Sequence, residues 1–404
     1  MNLLGLPMTL ALLWTVGTPA SAEGVTSWHH RIQFQRWFNQ YGFVFEKLLS
    51  RHCSSEYEHY LYDTATNATI YWDEGGGTAS TLVQPVVSCL LDSMPQFIMS
   101  NMQSAQVFLG LTPTILAILG ASTEESATLA VIGQRPFLSL MLACGSPSVY
   151  LSRAFEFKDP VEILSKHRPQ HYRPGIISGK SSTFRALLVI IQYTTAFAAT
   201  ANVSMLAYEL GTQAICLFAS EWVLMPFLWS ASVIFLYFMG FGWHRLRVRR
   251  VKQCKHKPEC NNAECKKPET WVHLLVRRIK CEFRLSVNNG KFHVEPADES
   301  KRYIILGWIL SVVSVLHIIF GTLTLSSMLF IGPRDALKLI ARFVASALAC
   351  RIITMYELAG LRENYMRKTV DKATMTGNGF EDSAQKIASH TVILAYREDE
   401  NEAC

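Results

Sequence analysis

A segment rich in arginine and lysine, from Trp243 to Arg284, lies between two long apolar stretches. Its many basic side chains face few acidic ones, which are Glu259, Glu264, Glu269 and Glu282. A basic excess between apolar stretches marks the cytoplasmic side of a membrane, because positive charge resists translocation. The sequence therefore predicts a membrane protein in which residues 241–302 form a basic cytoplasmic loop.

The composition supports this class. The chain has 404 residues, of which 50% are hydrophobic and 17% charged, a balance too apolar for an ordinary soluble protein. The net charge of +6 does not indicate nucleic acid, because the basic residues flank apolar stretches. The expected partners are the lipid bilayer and, through residues 243–302, anionic inner-leaflet lipids or cytoplasmic proteins.

The N-terminal residues 1–22 are typical of a secretory signal peptide, with a short apolar core and the small residues Ala20-Ser21-Ala22 before the cleavage site. The alternative is an uncleaved first span. Both interpretations place residues 23–103 in the lumen or outside the cell.

Two cysteines and one glycosylation sequon lie in this outer region. Cys53 and Cys89 are expected to form a disulfide, because the compartment is oxidising and the region is too small for a large core. Asn67-Ala68-Thr69 is a sequon in a polar loop, so Asn67 is expected to carry glycan.

The remaining apolar stretches predict an all-α polytopic membrane protein with about five transmembrane helices and one re-entrant or interfacial half-span. The first three spans belong to the membrane region 104–240, which includes a cytoplasmic loop at 148–185, and the last two belong to 303–360. Residues 361–404 have few apolar clusters and an acidic end, which predicts a disordered cytoplasmic tail. The predicted spans are 105–121, 186–210, 214–240, 303–331 and 335–358.

The half-span is assigned to residues 127–147, where Arg135-Pro136 interrupts an apolar stretch. A complete span would bury Arg135 deep in hydrocarbon at a cost of several kcal/mol. It would also move the basic loop 148–185 to the outside. A full span is the alternative to the half-span.

Three segments resemble a widespread group of uncharacterised integral membrane proteins from filamentous fungi. They are LGLTPTILAILGAS, RPFLSLMLACGSP and the long segment GTLTLSSMLFIGPRDALKLIARFVASALACRIITMYELAGLR. The paired cysteines before the first span are also similar. The resemblance covers about a third of the chain and implies a membrane location, but the group has no established activity to transfer.

Four ionisable residues within the predicted membrane segments are candidates for function: Arg135, Glu221, His317 and Arg342. Glu221 and Arg342 are both expected roughly 10 Å below the outer surface, so we predict a pair between them. For His317, a hydrogen bond to a neighbouring helix is the main interpretation, and a proton path is the alternative.

A candidate metal site consists of Cys254, His256, Cys260 and Cys265, but the spacing lacks the paired Cys-x2-Cys of a zinc knuckle. Lipidated cysteines or incidental thiols are the alternatives, so no cofactor is predicted.

Motifs of common enzymes, such as GxSxG, HExxH and Walker A, do not occur in the sequence. The expected function is that of a non-enzymatic multi-pass membrane protein of the secretory pathway or cell surface, a scaffold that binds lipid or protein. The alternative is a transporter or channel.

Overall fold

The structure, a computed structural model, describes residues 32–62, 83–147, 164, 182–220, 222–253, 282–286, 292–296 and 300–375. These residues are mostly helical, as the predicted fold class requires, with two small antiparallel sheets that were not predicted. Several sequence predictions concern residues outside the described ranges. These are the signal peptide 1–22, glycosylation at Asn67, the candidate metal ligands Cys254, His256, Cys260 and Cys265, and Glu221.

The region predicted to lie outside the cytoplasm, which we continue to call the outer region, contains three short helices, α1 (Gly42–Arg51), α2 (Ser54–Tyr62) and α3 (Val83–Asp92). The predicted disulfide between Cys53 and Cys89 is confirmed, and it joins the turn between α1 and α2 to α3. A buried aromatic cluster that includes Phe34, Phe45 and Phe330 lies beneath the helices. Phe330 comes from the far end of the chain, so the outer region packs on the membrane helices through this cluster.

Four helices of the described chain are long and apolar enough to cross a membrane: Gln96–Leu119, Thr183–Gln213, Met225–Arg247 and Lys301–Ser326. Together with outward-facing apolar side chains such as Phe197, which is 65% exposed, they indicate an integral membrane protein. We label the corresponding helices α4 (Gln96–Leu119), α7 (Ser182–Gln213), α8 (Met225–Arg247) and α9 (Lys301–Ser326).

The predicted fifth span lies within α10 (Pro333–Met375). This helix carries Arg342, Arg351 and Glu357 and is not among the four apolar helices, so the number of spans stays a prediction. The helix also continues through residues 361–375, which were predicted to be disordered. Leu361 explains the continuation, because it is buried in a cluster with Ile132 and Leu358. Residues 376–404 lie outside the described chain.

The predicted boundaries of the third and fourth spans are wrong at their outer ends. Helix α8, which corresponds to the third span, begins at Met225 rather than at 214. Helix α9, which corresponds to the fourth span, ends at Ser326 rather than at 331. In both places the chain forms a strand instead of helix, and β1 (Ile215–Cys216) pairs antiparallel with β4 (Met328–Leu329) in a sheet of two two-residue strands. The backbone groups pair across this sheet, so neither segment needs helical hydrogen bonds.

The predicted half-span 127–147 is divided into two short helices, α5 (Thr123–Val131) and α6 (Pro136–Cys144). Ser122 and Glu125 form a capping box at the start of α5. Nine residues extend about 13 Å, less than half of a hydrocarbon core about 30 Å thick. Neither helix alone is therefore long enough to cross the hydrocarbon, and α5 and α6 pack against each other and against α8. The half-span stays a prediction, and we call α5 and α6 together the α5–α6 hairpin.

The bundle has one end rich in basic residues, where α8 ends at Arg247 and α9 begins at Lys301; we call it the basic end. Here β2 (Val248–Gln253) pairs antiparallel with β3 (Phe292–Pro296). This pairing starts and closes the predicted loop 241–302. It brings the two ends of the loop beside the turn of the α5–α6 hairpin and beside Leu358 and Leu361 of α10, which form one small apolar cluster with Val248.

Candidate functional site: a buried polar cluster at the basic end

Arg135 lies at the turn between α5 and α6, where it is the N-terminal cap residue of α6. The turn requires a glycine at 133, because a side chain there would place its Cβ 2.5 Å from the carbonyl oxygen of Leu129. Gln134 adopts a positive φ of 56°, and Pro136 then starts the new helix. This tight turn directs the Arg135 side chain into the bundle, where it is 0% exposed.

The Arg135 guanidinium forms a buried ion pair with Glu357 of α10. The distance from Nη1 to Oε1 is 2.8 Å, and both side chains are 0% exposed. Gln192 of α7 connects the two charges, because its Oε1 accepts from Arg135 Nη1 at 2.9 Å and its Nε2 donates to Glu357 Oε1 at 2.6 Å. The half-span, α7 and α10 are thereby held together by one charged hydrogen-bond network.

A short part of the basic loop, residues 282–286, lies against this network; we call it the docked segment. Arg135 Nε donates to the backbone carbonyl of Glu282 at 2.9 Å. The Glu282 carboxylate oxygen Oε1 accepts from the backbone N–H of Leu138 and from the Tyr193 hydroxyl, both at 2.9 Å. The docked segment is therefore attached to the first turn of α6 and to α7.

The other end of the docked segment is attached to α10. The backbone N–H of Ser286 donates to Glu357 Oε2 at 3.1 Å, and Asn364 donates through Nδ2 to the Ser286 carbonyl at 2.9 Å. Both carboxylate oxygens of Glu357 are thus bound: Oε1 by the side chains of Arg135 and Gln192, and Oε2 by the backbone of the loop. Glu357 links the loop directly to the membrane bundle.

The cluster lies near the basic end of the bundle. Gln192 is roughly ten residues, or about 15 Å, from the start of α7, and Glu357 is about 36 Å from the start of α10. The loop itself reaches this depth, because the backbone of Glu282 contacts Arg135 and the backbone of Ser286 contacts Glu357. A site at such a level can be reached by the loop without opening the opposite end of the bundle.

The cluster combines the guanidinium of Arg135 with the carboxylates of Glu282 and Glu357. Within the part of the chain that the structure describes, Arg135 Nη2 and Ser286 Oγ are buried without a hydrogen bond. Groups of three or more metal-binding side chains are absent from the same described residues. The cluster thus offers both hydrogen-bond donors and hydrogen-bond acceptors.

His317 is part of a separate contact between helices. Its Nδ1 lies 2.9 Å from Ser232 Oγ on α8, and its Nε2 lies 2.7 Å from the carbonyl oxygen of Pro147, just after α6. The imidazole is also stacked on the Trp229 ring at 5.9 Å between centroids. The predicted hydrogen bond to a neighbouring helix is confirmed, and both ring nitrogens are used in packing contacts.

Arg342 lies on the side of α10 that faces α7. Its Nη1 is 2.8 Å from Glu209 Oε2, and its Nε and Nη2 donate to Asn202 Oδ1 at 3.1 and 3.0 Å. Glu221 is outside the described residues, so its predicted pairing with Arg342 is untested. Arg342 already has a carboxylate partner in Glu209, which was not predicted.

The sequence also did not predict the partners of Arg135. Glu357 lies almost at the end of the predicted fifth span, and Gln192 lies within the second, so each could have been noted as a polar residue in an apolar stretch. Glu282 was noted only as one of the few acidic residues in the basic loop. A further unpredicted ion pair joins Arg351 of α10 to Glu125 of α5. All of these pairs depend on contacts between distant parts of the chain.

No family model, curated protein or solved structure matches this chain. The resemblance to fungal membrane proteins therefore stays a prediction.

Proposed function

We propose that this chain is a non-enzymatic multi-pass membrane protein of the secretory pathway or cell surface, which acts by binding lipid or protein through its basic loop. In this proposal the outer region with the Cys53–Cys89 disulfide lies outside the cytoplasm, and the loop and the C-terminal tail lie inside. The disulfide supports that orientation, because disulfides persist in oxidising compartments. The arginine and lysine excess of the loop supports a cytoplasmic basic end.

The observation that carries the proposal is the burial of Arg135 and Glu357 beneath the docked segment. Both side chains are 0% exposed, and each is hydrogen-bonded by helices and loop together. A transport site has to be reached by water and solute from one side at a time. A charged pair that fixes a loop onto the bundle is better suited to present that loop to a partner.

Transport is the second candidate. It is favoured by the α5–α6 hairpin, because short helices that end within the membrane carry the substrate sites of many transporters. The buried charge of Arg135 at the turn of that hairpin is a further similarity. In a transporter the ion pair would become accessible to water in one state of the cycle.

Cysteine accessibility distinguishes the two functions. Gln192→Cys and, as an exposed control, Phe283→Cys are introduced separately into full-length protein in which the free cysteines have been replaced by serine. Phe283 is 53% exposed, whereas Gln192 is 5% exposed. The binding function predicts that an impermeant thiol reagent modifies the Phe283→Cys variant but not the Gln192→Cys variant in membrane vesicles. Modification of the Gln192→Cys variant from either side would favour transport.

The lipid-binding part of the proposal has its own test. Arg277, Arg278 and Lys280 are replaced together by glutamine in the full chain, and the phosphatidylserine and phosphatidylcholine that remain bound after detergent extraction are measured. We expect wild-type protein to retain more phosphatidylserine than the bulk membrane contains, since each basic residue near an anionic surface contributes about 1 kcal/mol. An equal lipid ratio in wild-type and variant protein would contradict lipid binding by the loop.

A further inference from the structure

We propose that the site occupied by the Glu282 carboxylate binds a phosphate group of a ligand, and that Glu282 competes with this phosphate for the site. This inference rests on the proposed binding function of the loop and names the ligand and the site.

Two donors already bind one oxygen of Glu282. The backbone N–H of Leu138 belongs to the first turn of α6, and the Tyr193 hydroxyl comes from α7; each lies 2.9 Å from Oε1. The N-terminal turn of a helix presents free N–H groups and partial positive charge, both of which favour an anion. Glu282 is therefore held as an anionic ligand would be.

An unused donor lies beside these two. The Arg135 guanidinium is 0% exposed, it lies 5.5 Å from the centroid of the Tyr193 ring, and its Nε already binds the Glu282 carbonyl. Its Nη2 is buried and has no hydrogen-bond partner among the described residues. A buried donor without an acceptor is unfavourable, so Glu282 satisfies the site incompletely.

A phosphate group fits these donors better than a carboxylate does. Oε1 of Glu282 accepts from both Leu138 and Tyr193, and neither Glu282 carboxylate oxygen accepts from Arg135 Nη2, which has no partner in the described chain. Phosphate has more oxygens, arranged tetrahedrally, and arginine forks bind them well. The Arg135 and Glu357 charges balance each other, so a phosphate group with a single negative charge would replace Glu282 without changing the net charge of the cluster.

The site is accessible through movement of the docked segment alone. Glu282 is 9% exposed, but the next residue, Phe283, is 53% exposed, so the segment lies at the surface of the bundle. Arg245 and Lys301 are exposed at the same end. Their positive field would raise the local concentration of phosphate-bearing ligands.

The test measures binding to the full-length protein in a neutral detergent. The ligands are inorganic phosphate, dioctanoyl phosphatidic acid and, as an uncharged control, dioctanoylglycerol. The variants are Glu282→Ala, Glu282→Ala with Tyr193→Phe, and the matched control Glu58→Gln, which changes an exposed glutamate of the outer region. We expect Glu282→Ala to bind phosphatidic acid at least about tenfold more tightly than wild type, and Tyr193→Phe to reverse most of that gain.

The ligand arms identify the source of the phosphate. Binding of phosphatidic acid but not inorganic phosphate indicates a lipid headgroup, and binding of both indicates a small anion site. Equal affinity of wild type and Glu282→Ala for both phosphate ligands would overturn the proposal. So would equal binding of dioctanoylglycerol, because it lacks the phosphate.

A second measurement leaves Glu282 in place and so does not depend on the folding of the alanine variant. Leu285 is 4% exposed in the docked segment, so Leu285→Cys should be protected from an impermeant thiol reagent. We expect phosphatidic acid to raise the labelling rate about tenfold as it displaces the segment. An unchanged rate at saturating lipid would rule out competition. Loss of phosphatidylserine retention on changing Arg277, Arg278 and Lys280 is independent of Glu282, so the two proposals can fail separately.

Discussion

Arg342 and Glu209 join α10 to α7 through an ion pair of 2.8 Å between Nη1 and Oε2. Their side chains are 43% and 27% exposed, so the pair lies at the outer surface of the helix bundle. Asn202, about two turns before Glu209 on α7, accepts from the same guanidinium and donates to Ser346 on α10. One arginine therefore uses both a charge and an amide on the neighbouring helix, and the two helices are fixed in register.

A double-mutant cycle measures this pair. We expect Arg342→Gln and Glu209→Gln each to lower the free energy of unfolding in mixed micelles. The double variant should lose less than the sum, with a coupling of about 0.6–1.7 kcal/mol, as measured for polar contacts between membrane helices. Additive losses would show that the two charges do not stabilise each other.

The buried pair of Arg135 and Glu357 should be far more sensitive. Replacing one partner, in Arg135→Gln or Glu357→Gln, leaves a buried charge uncompensated, and we expect a loss of about 3–5 kcal/mol in the free energy of unfolding. The apolar double variant Arg135→Met with Glu357→Leu should recover much of this loss. Arg334→Gln, which changes an exposed arginine of α10, is the control and should stay within about 0.5 kcal/mol of wild type. A loss in the apolar double variant as large as in the single ones would contradict this account.

Local sequence features were sufficient for part of the fold. Apolar stretches predicted the positions of the four long helices. The break at Arg135-Pro136 and the basic loop after it led to the prediction of a half-span at 127–147, where the structure has two short helices. The Cys53–Cys89 pair followed from compartment and cysteine count. These features depend on nearby residues or on a choice with few alternatives, so one sequence contains enough information.

Long-range contacts account for what was missed. The outer ends of the third and fourth spans are set by the pairing of Ile215 with Leu329, which no local pattern indicates. In the same way, the partners of Arg135 come from α7, α10 and the basic loop, and their meeting requires the assembled bundle. The sequence shows that a buried arginine needs a carboxylate, but several carboxylates are available to it.

The disulfide of the outer region gives a third prediction. Removing it in Cys53→Ser should lower the free energy of unfolding of the outer region by about 2–5 kcal/mol. The double variant Cys53→Ser with Cys89→Ser should lose no more, because the single change already breaks the bond. Proteolysis within residues 32–94, compared with and without reducing agent, checks this. Greater loss in the double variant would mean that the thiols contribute separately.

The last prediction concerns two glycines in membrane helices with opposite surroundings. A Cβ added at Gly321 of α9 would lie 2.2 Å from Nε1 of Trp229, a fully buried side chain, whereas a Cβ at Gly242 of α8 would meet none of the described residues within 4 Å. Gly321→Ala should therefore displace the indole and disturb its stacking on His317, with a loss of about 1–3 kcal/mol in the free energy of unfolding. Gly242→Ala should be neutral or stabilising by up to about 1 kcal/mol, because alanine favours a helix.

Adding Trp229→Phe to Gly321→Ala removes the clashing nitrogen and should restore part of the stability, as measured by thermal unfolding of the detergent-solubilised protein. Equal unfolding temperatures for Gly321→Ala and Gly242→Ala would show that α8 and α9 do not approach each other as closely as this contact requires.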